Sequence, residues 1–271
     1  MYSDHLLRFV GIQHTGVTFD DVRHKSKIAM PRFCVIHTED ACSDDDATLG
    51  DMFIDGLARE GDSWTVVNPA TGDSLATVLQ DNYDGIVITG SHYNVRDELP
   101  WYKPLIEIIQ HVASTGTPNL YGGCFGHQLV AHALGGVAGP SEKFVMKAET
   151  VHFLPSSGNL LGPVPASLNL LEVHGDWVSV LPPGADLVAH SDSCANEAFV
   201  AGGAHNILCA QGHPEFDVQY CFTETLWDLC KSRLGSADDI ARAKASLDAY
   251  TDVDAKRFLA LISNFLRHKR N

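Results

Sequence analysis

The sequence predicts an α/β fold in which a doubly wound, mostly parallel sheet is flanked by helices and carries a small antiparallel addition. Short apolar runs alternate with stretches of helical spacing through the first half of the chain, which is typical of βαβ units. Residues 85–89 form a nearly unbroken apolar run, as a parallel strand buried on both faces requires. Between residues 151 and 210, short runs are separated by proline and glycine turns, which indicates antiparallel strands.

The predicted strands are short apolar runs. They cover residues 33–36, 64–67, 85–89, 119–121 and 206–210. Helices are predicted where apolar residues recur every three or four positions: Met52, Phe53 and Leu57 give the first helix its apolar face, and Pro100 precedes the second. The predicted helices cover residues 51–60, 101–114, 125–134, 215–234 and 236–267.

A chain of 271 residues is long enough to bury a substantial core. Its 45% hydrophobic and 20% charged residues are typical of a globular protein. Residues 1–30 lack the apolar core of a signal peptide and carry mixed charges, so we predict an N-terminal arm without an assigned role. We predict that residues 31–271 form a single domain, because no repeat or low-complexity linker divides them.

The net charge limits the classes of partner that the protein is expected to bind. A net charge of −15, with only 19 lysines and arginines, argues against nucleic acid or an anionic membrane as a partner, because both bind basic surfaces. No apolar run has the length of a membrane span. The seven cysteines include no Cys-x-x-Cys pair, which favours reduced thiols and a cytoplasmic location. The histidines are scattered singly, so we predict no metal site.

The most informative segment surrounds Cys124, which lies between the strand predicted at 119–121 and the helix predicted at 125–134. Gly122 and Gly123 precede the cysteine, and glycine permits a backbone that other residues resist. A sharp strand-to-helix turn lifts one side chain clear of the sheet, and the positive end of the helix dipole favours a thiolate there. The pattern predicts that Cys124 is a nucleophile.

A candidate base and a carboxylate that orients it follow the strand predicted at 206–210. His213 and Glu215 are two residues apart, so in an extended chain their side chains lie on the same side. A nucleophile, a base and an orienting carboxylate form the triad that activates cysteine and serine enzymes. We therefore predict a catalytic triad of Cys124, His213 and Glu215.

Four motifs in order resemble the class I glutamine amidotransferase family. The family pattern Gly-x-Cys-x-Gly-x-Gln is present at residues 122–128, and His-Pro-Glu follows at 213–215. Residues 88–91 are similar to its oxyanion strand and loop, and residues 174–185 are similar to the segment before His-Pro-Glu. The motif variants are most similar to the free-standing branch that includes the plant γ-glutamyl peptidases. Gly123 departs from the pattern, since the family usually has an aliphatic residue there.

The resemblance implies the family's fold and roles for five further residues. The backbone N–H groups of Gly90 and Phe125 are expected to bind the oxyanion that develops on the substrate. Gln128 lies one helical turn after the nucleophile and is expected to contact the glutamyl group. His174 and Asp176 are expected to line the substrate pocket.

The resemblance also implies a cysteine-dependent hydrolase of γ-glutamyl amide bonds that works through a γ-glutamyl thioester without a metal or organic cofactor. We expect small-molecule substrates, namely γ-glutamyl peptides or conjugates. One alternative is a glutaminase subunit that delivers ammonia to a separate synthetase partner. The chain has no glycine-rich ATP loop of the P-loop type, which favours the self-sufficient hydrolase. Another alternative is a non-enzymatic binding or regulatory module on the same fold, against which the intact triad residues argue.

Overall fold

The structure, a computed structural model, describes residues 30–40, 48–216 and 224–269. The strands in these ranges are β1 (Arg32–Ile36), β2 (Ser63–Val67), β3 (Gly85–Ile88), β4 (Asn119–Gly123), β5 (Val137–Phe153), β6 (Ser167–Val180), β7 (Asp186–His190), β8 (Ala198–Ala201) and β9 (Ile207–Ala210). The helices are α1 (Leu49–Leu57), α2 (Tyr102–Thr115), α3 (Phe125–Ala133), α4 (Gly158–Leu161), α5 (Glu224–Cys230), α6 (Ala237–Asp248) and α7 (Val253–Arg267). The division into an arm at residues 1–30 and a domain at 31–271 stays a prediction, since residues 1–29 lie outside the described part.

Five strands form the parallel half of one mixed sheet, in the order β2-β1-β3-β4-β9. β3, β4 and β9 are buried at every residue, whereas β2 lies at the edge and is only partly buried. The carboxyl ends of these strands meet at one edge of the sheet, which is where ligands bind in open α/β sheets. All five predicted strands are present, and the predicted α/β class is confirmed.

The antiparallel part continues the same sheet in the order β9-β8-β7-β5-β6. It comprises β5 to β8 and is larger than the small addition that the sequence predicts. β5 and β6 are 17 and 14 residues long and pair along most of their length. Many of their residues are polar and only partly buried, so a search for short apolar runs does not reveal how long these strands are.

The C-terminal helices differ from the prediction in their boundaries. Of the helix predicted at 215–234, residues 215–216 are not helical, and α5 begins at Glu224 after a stretch outside the described part. The helix predicted at 236–267 is two helices, α6 and α7, separated at residues 249–252. α6 packs against β5, whereas α7 packs against α1, β4 and β6. One straight helix of that length would extend roughly 48 Å and could not cover both surfaces.

Two apolar layers cover the two faces of the sheet. One contains Phe53 of α1 and Phe258 of α7, and the other contains Leu105 of α2 and Leu129 of α3. Helices on both faces give the predicted doubly wound arrangement. Within the described ranges, none of the helices has both the length and the apolar composition that crossing a membrane requires.

Candidate active site

The predicted sharp turn lies where β4 ends and α3 begins. Cys124 adopts φ 47° and ψ −102°, a positive φ that residues other than glycine rarely take. Its backbone is held on both sides, because its N–H donates to the Ala210 carbonyl at 2.9 Å and its carbonyl accepts from the Gln128 N–H at 3.0 Å. Strain of this kind persists only where the surrounding structure enforces it, and it clusters at functional sites.

Glycines allow the elbow to pack against its neighbours. A Cβ on Gly122 would lie 2.8 Å from the Gly126 carbonyl carbon and oxygen, and a Cβ on Gly126 would lie 2.5 Å from the Ile88 carbonyl oxygen. A Cβ on Gly123 would lie 3.2 Å from the ring of Phe53. The departure from the family pattern at Gly123 therefore makes room for an aromatic side chain from α1.

We expect Gly126→Ala to lower the free energy of unfolding by about 1–3 kcal/mol, because the added methyl group overlaps a backbone carbonyl that cannot rotate away. The higher helix propensity of alanine offsets only part of this cost. Denaturant unfolding followed by circular dichroism measures the change. Gly139→Ala is the matched control, since nothing lies within 4 Å of a Cβ there. Equal stability of the two variants would contradict the packing argument.

The candidate base lies on the loop that follows β9. The His213 N–H donates to the Leu171 carbonyl at 2.8 Å, which ties this loop to β6. Nδ1 of His213 lies 2.8 Å from Oε1 of Glu215, and their side chains are 5% and 1% exposed. The ring also stacks on Phe216, with 4.1 Å between centroids and 7° between planes. These contacts fix both the position and the orientation of the imidazole.

The structure brings Cys124 and His213 together. Burial alone lowers the pKa of His213, but the charge of Glu215 and the adjacent, hydrogen-bonded Cys124 hold that pKa well above its usual value. A Cβ on Gly90 would lie 3.0 Å from Cε1 of His213 and 3.5 Å from Cβ of Cys124. Gly90 therefore borders both residues, and any side chain at this position would crowd the base.

The loop at residues 89–93, which contains the predicted oxyanion-binding Gly90, is held in place by side chains at the carboxyl end of β1. The Thr38 hydroxyl lies 3.0 Å from the Gly90 carbonyl and 3.1 Å from the Thr89 hydroxyl. These contacts fix the plane of the peptide next to the Gly90 N–H. The Phe125 N–H belongs to the first turn of α3, where amides have no partner within the helix. The two amides predicted to bind an oxyanion thus lie on rigid backbone beside the cysteine.

Glu39 also holds the loop at residues 89–93, and the sequence analysis did not anticipate this contact. Its carboxylate accepts the His92 N–H at 2.8 Å and lies 2.5 Å from Nδ1 of the same histidine, and it accepts the Asp40 N–H at 2.8 Å. Within the described ranges, Glu39, Asp40 and His92 also form a group whose ligand atoms could hold a metal ion. The backbone N–H groups of His92 and Asp40 that donate to Glu39 explain this group as a set of contacts that fixes the loop. Polar residues directly after a buried parallel strand were the signal that could have revealed it.

A chain of amide side chains leads away from the sulfur. Nε2 of Gln211 lies 3.4 Å from Sγ of Cys124. Nε2 of Gln128 donates to Oε1 of Gln211 at 3.2 Å and to the Asp176 carbonyl at 2.8 Å. Gln128 is buried, and its predicted contact with the glutamyl group stays a prediction. Gln211 is a further site residue that the sequence analysis missed, although its place two residues before His213 puts it beside the base.

Alternate residues of β6 face the site. Glu172, His174 and Asp176 lie on the same side of the strand, as the period of two requires. The His174 side chain is 1% exposed, and burial lowers its pKa to about 3, so the ring is neutral. Burial raises the pKa of Glu172 well above its usual value, and the neighbouring Glu197 raises it further. This side of the site is therefore buried, and burial favours the protonated carboxyl of Glu172 and the neutral imidazole of His174.

A model of the glutamine amidotransferase class-I family matches residues 45–222. The chain belongs to the class I glutamine amidotransferase family. γ-Glutamyl peptidase 3 of Arabidopsis thaliana is 29% identical over 222 residues, which cover 80% of this chain and 87% of the relative. A γ-glutamyl-L-1-hydroxyisopropylamide hydrolase of a Pseudomonas species is 30% identical over 154 residues, which cover 54% of this chain and 52% of the relative.

The fold agrees with that of solved amidotransferases. The crystal structure of a glutamine amidotransferase from Thermotoga maritima superposes with a TM-score of 0.68 at 20% identity, and the match covers 88% of this chain and 96% of that one. In this chain, Cys124 lies at the turn after β4, a central parallel strand of the sheet. It is a class I amidotransferase-type hydrolase.

Proposed function

We propose that this protein hydrolyses γ-glutamyl amide bonds through a γ-glutamyl thioester and acts on γ-glutamyl peptides or conjugates. The observation that carries the proposal is the meeting of Cys124, on its strained turn, with the buried pair of His213 and Glu215. The names of the peptidase and amide-hydrolase relatives support the acyl group that is proposed.

In the acylation half, the Cys124 thiolate attacks the γ-carbonyl carbon and a C–S bond forms. The N–H groups of Gly90 and Phe125 stabilise the negative charge that develops on the carbonyl oxygen, and fixed donors of this kind contribute about 3–4 kcal/mol each in other enzymes. The tetrahedral intermediate then collapses with cleavage of the C–N bond. The leaving amine takes its proton from the His213 imidazolium, which Glu215 stabilises.

In the deacylation half, neutral His213 accepts a proton from water as the water oxygen attacks the thioester carbon. The C–S bond breaks, glutamate leaves, and the sulfur regains the electron pair of the thiolate. Glu215 keeps the same ring orientation in both halves because its carboxylate contacts Nδ1, which leaves Nε2 for the transferred proton.

We expect the isolated protein to hydrolyse at least one γ-glutamyl peptide or conjugate with a higher kcat/KM than glutamine. A self-sufficient hydrolase completes the reaction alone, whereas a glutaminase subunit is expected to be slow until its synthetase partner docks. The measurement compares kcat/KM for a γ-glutamyl dipeptide panel and for glutamine, without ATP and with a metal chelator. The α-linked isomers of the same dipeptides are the matched control and should not react. The result that contradicts the proposal is a preference for glutamine, or turnover that begins only when a partner from a cell extract is added.

A further inference from the structure

The loop that carries the candidate base is held through three consecutive backbone N–H groups. The Gln211 N–H donates to the Glu197 carbonyl at 2.8 Å, and the His213 N–H donates to the Leu171 carbonyl at 2.8 Å. Between them, the Gly212 N–H donates to Oε1 of Glu197 at 3.1 Å. The first and last acceptors are backbone carbonyls, whereas the middle one is a side-chain carboxylate. The position of His213 therefore depends on the charge and placement of that carboxylate.

Glu172 closes the other side of the same loop. It follows Leu171 on β6, and a Cβ on Gly212 would overlap its Oε1 atom. The Glu172 side chain is 0% exposed, and Glu197 is 1% exposed. The two carboxyl groups are hydrogen-bonded to each other. Because a carboxylate only accepts hydrogen bonds, one member of the pair must carry a proton.

The contacts of the pair decide which carboxyl group carries that proton. Glu197 accepts from the Gly212 N–H through Oε1 and from the Ser191 hydroxyl at 3.0 Å through Oε2, and such bonds stabilise the charged form. Within the described residues, no N–H or hydroxyl donor reaches either oxygen of Glu172. An ionised Glu172 would be a buried charge without a donor, which is costly. The proton therefore belongs on Glu172, which donates to the Glu197 carboxylate.

The surroundings of the pair favour a single negative charge. Burial is the largest cause that raises the pKa of Glu172 well above its usual value and the pKa of Glu197 to about 7. Other titratable groups face the pair from the neighbouring elements, namely Glu149 and Lys147 of β5, His174 of β6, Cys194 of the turn before β8, Tyr121 of β4 and Cys124 of the elbow. Lys147, the cation among these groups, is paired with Glu149, since its Nζ lies 2.8 Å from Oε1. A second negative charge on the pair would thus find no free partner among them.

We propose that Glu172 and Glu197 position the catalytic base: they share one proton, and the resulting acid–carboxylate pair holds Gly212 so that His213 stays beside Cys124. Both act through the backbone of the loop, so they are positioning residues. The inference rests on the proposed function, in which His213 is the base, and adds two residues that lie outside the triad. Loss of the shared proton would set two like charges against each other and loosen the loop between them.

Two substitutions of Glu172 separate the proton from the space that the side chain fills. Glu172→Gln keeps a neutral donor of the same shape, whereas Glu172→Met keeps the volume without a donor. We expect Glu172→Gln to retain kcat for a γ-glutamyl substrate within about threefold. Glu172→Met should lose roughly 10- to 100-fold in kcat with little change in KM, because small displacements of a catalytic group have effects of this size. Equal activity of the two variants, or an equal loss in both, overturns the inference.

The pH dependence of stability reports the proton without any turnover. A group whose pKa is raised in the folded state keeps its proton after the unfolded chain has lost it, so its contribution to stability is lost as pH rises. Between about pH 5, above which an unfolded glutamate is ionised, and about pH 7, the unfolding equilibrium constant of the wild type should rise relative to that of Glu172→Gln by up to about tenfold per pH unit. Denaturant unfolding at several pH values measures the ratio. A constant ratio would show that the pair holds no proton, and this readout does not require that Glu172→Met folds.

Glu149→Gln is the matched control. Glu149 is a buried glutamate that faces the pair, but its carboxylate accepts from Lys147 and from the Ser193 N–H rather than from the loop. This variant should keep the wild-type dependence of stability on pH in the same range. Disappearance of that dependence in Glu149→Gln as well would place the proton elsewhere and count against the pair.

Alkylation of Cys124 by iodoacetamide separates this inference from the proposed hydrolysis, because it reports the imidazolium–thiolate pair without a γ-glutamyl substrate. The rate should be unchanged in Glu172→Gln and roughly 10-fold lower in Glu172→Met. If this pattern holds and no γ-glutamyl compound reacts, the proposed hydrolysis fails and the positioning pair stands. If hydrolysis occurs and both variants match the wild type in kcat and in alkylation, the positioning pair fails and the hydrolysis stands.

Discussion

Cys124→Ala is expected to reduce kcat/KM for a γ-glutamyl substrate by at least about 10⁴-fold, since removal of the nucleophile from a catalytic triad in other hydrolases has effects of this size or larger. The fold should survive, because alanine fits wherever the cysteine side chain does. Unfolding by denaturant checks the stability of the variant, and a thioester trapped by mass spectrometry in the wild type identifies the nucleophile.

Labelling distinguishes Cys124 from the other cysteines. The described cysteines other than Cys124 are buried and hold their protons: burial raises the pKa of Cys34 to about 12 and raises those of Cys194, Cys209 and Cys230. A glutamine-like electrophile should therefore modify Cys124 first. Cys230→Ala is the control and should keep its activity and its labelling. Even modification of Cys34, Cys194 and Cys209 would count against the assignment.

The second large effect concerns the base. His213→Ala should lose at least about 10⁴-fold in kcat/KM, and Glu215→Gln should lose roughly 10- to 100-fold less, because an orienting carboxylate contributes less than the base that it holds. Steady-state kinetics on both variants, with stability checked alongside, measures the ratio. Wild-type activity in His213→Ala would refute the triad.

The pH profile of Glu215→Gln gives an independent readout. Burial lowers the pKa of His213, and the charge of Glu215 is the main influence that raises it above its usual value. The raised pKa keeps the imidazolium, the acid that protonates the leaving amine, present to higher pH. Removing the charge should therefore shift the alkaline limb of kcat/KM to lower pH. An unchanged limb would show that Glu215 does not act on the base.

Local features were predictable from the sequence, whereas long-range contacts were predictable only where catalytic motifs implied them. The elbow was visible because glycine and strand-then-helix patterns are properties of a few adjacent residues. The His213–Glu215 pair was visible because extended chain repeats every two residues. The contacts of Glu39 with His92 and of Arg96 with Asp176 join residues 53 and 80 positions apart, and no pattern in this sequence pairs them.

The absence of long-range information in local patterns also explains the errors in the predicted boundaries of the C-terminal helices. The amphipathic spacing of residues 236–267 is helical throughout, so it does not show where the chain must break to reach a second surface. The break is decided by packing: α6 covers β5, whereas α7 inserts Phe258 and Ile262 into the core next to α1 and β4. Tertiary packing of this kind overrides local propensity.

The stacking of His213 on Phe216 bears on the fate of the acyl group. One face of the imidazole is covered by the phenyl ring, Nδ1 is held by Glu215, and Cε1 faces Gly90. In the proposed reaction, only the edge that carries Nε2 is left to exchange protons, so the departing amine and the incoming water use that edge in succession. A second amine that enters before water would be acylated by the same chemistry. The ratio of transpeptidation to hydrolysis therefore depends on competition between an amine and water for that edge of the ring. A concentrated amino acid should divert the thioester into a new γ-glutamyl peptide.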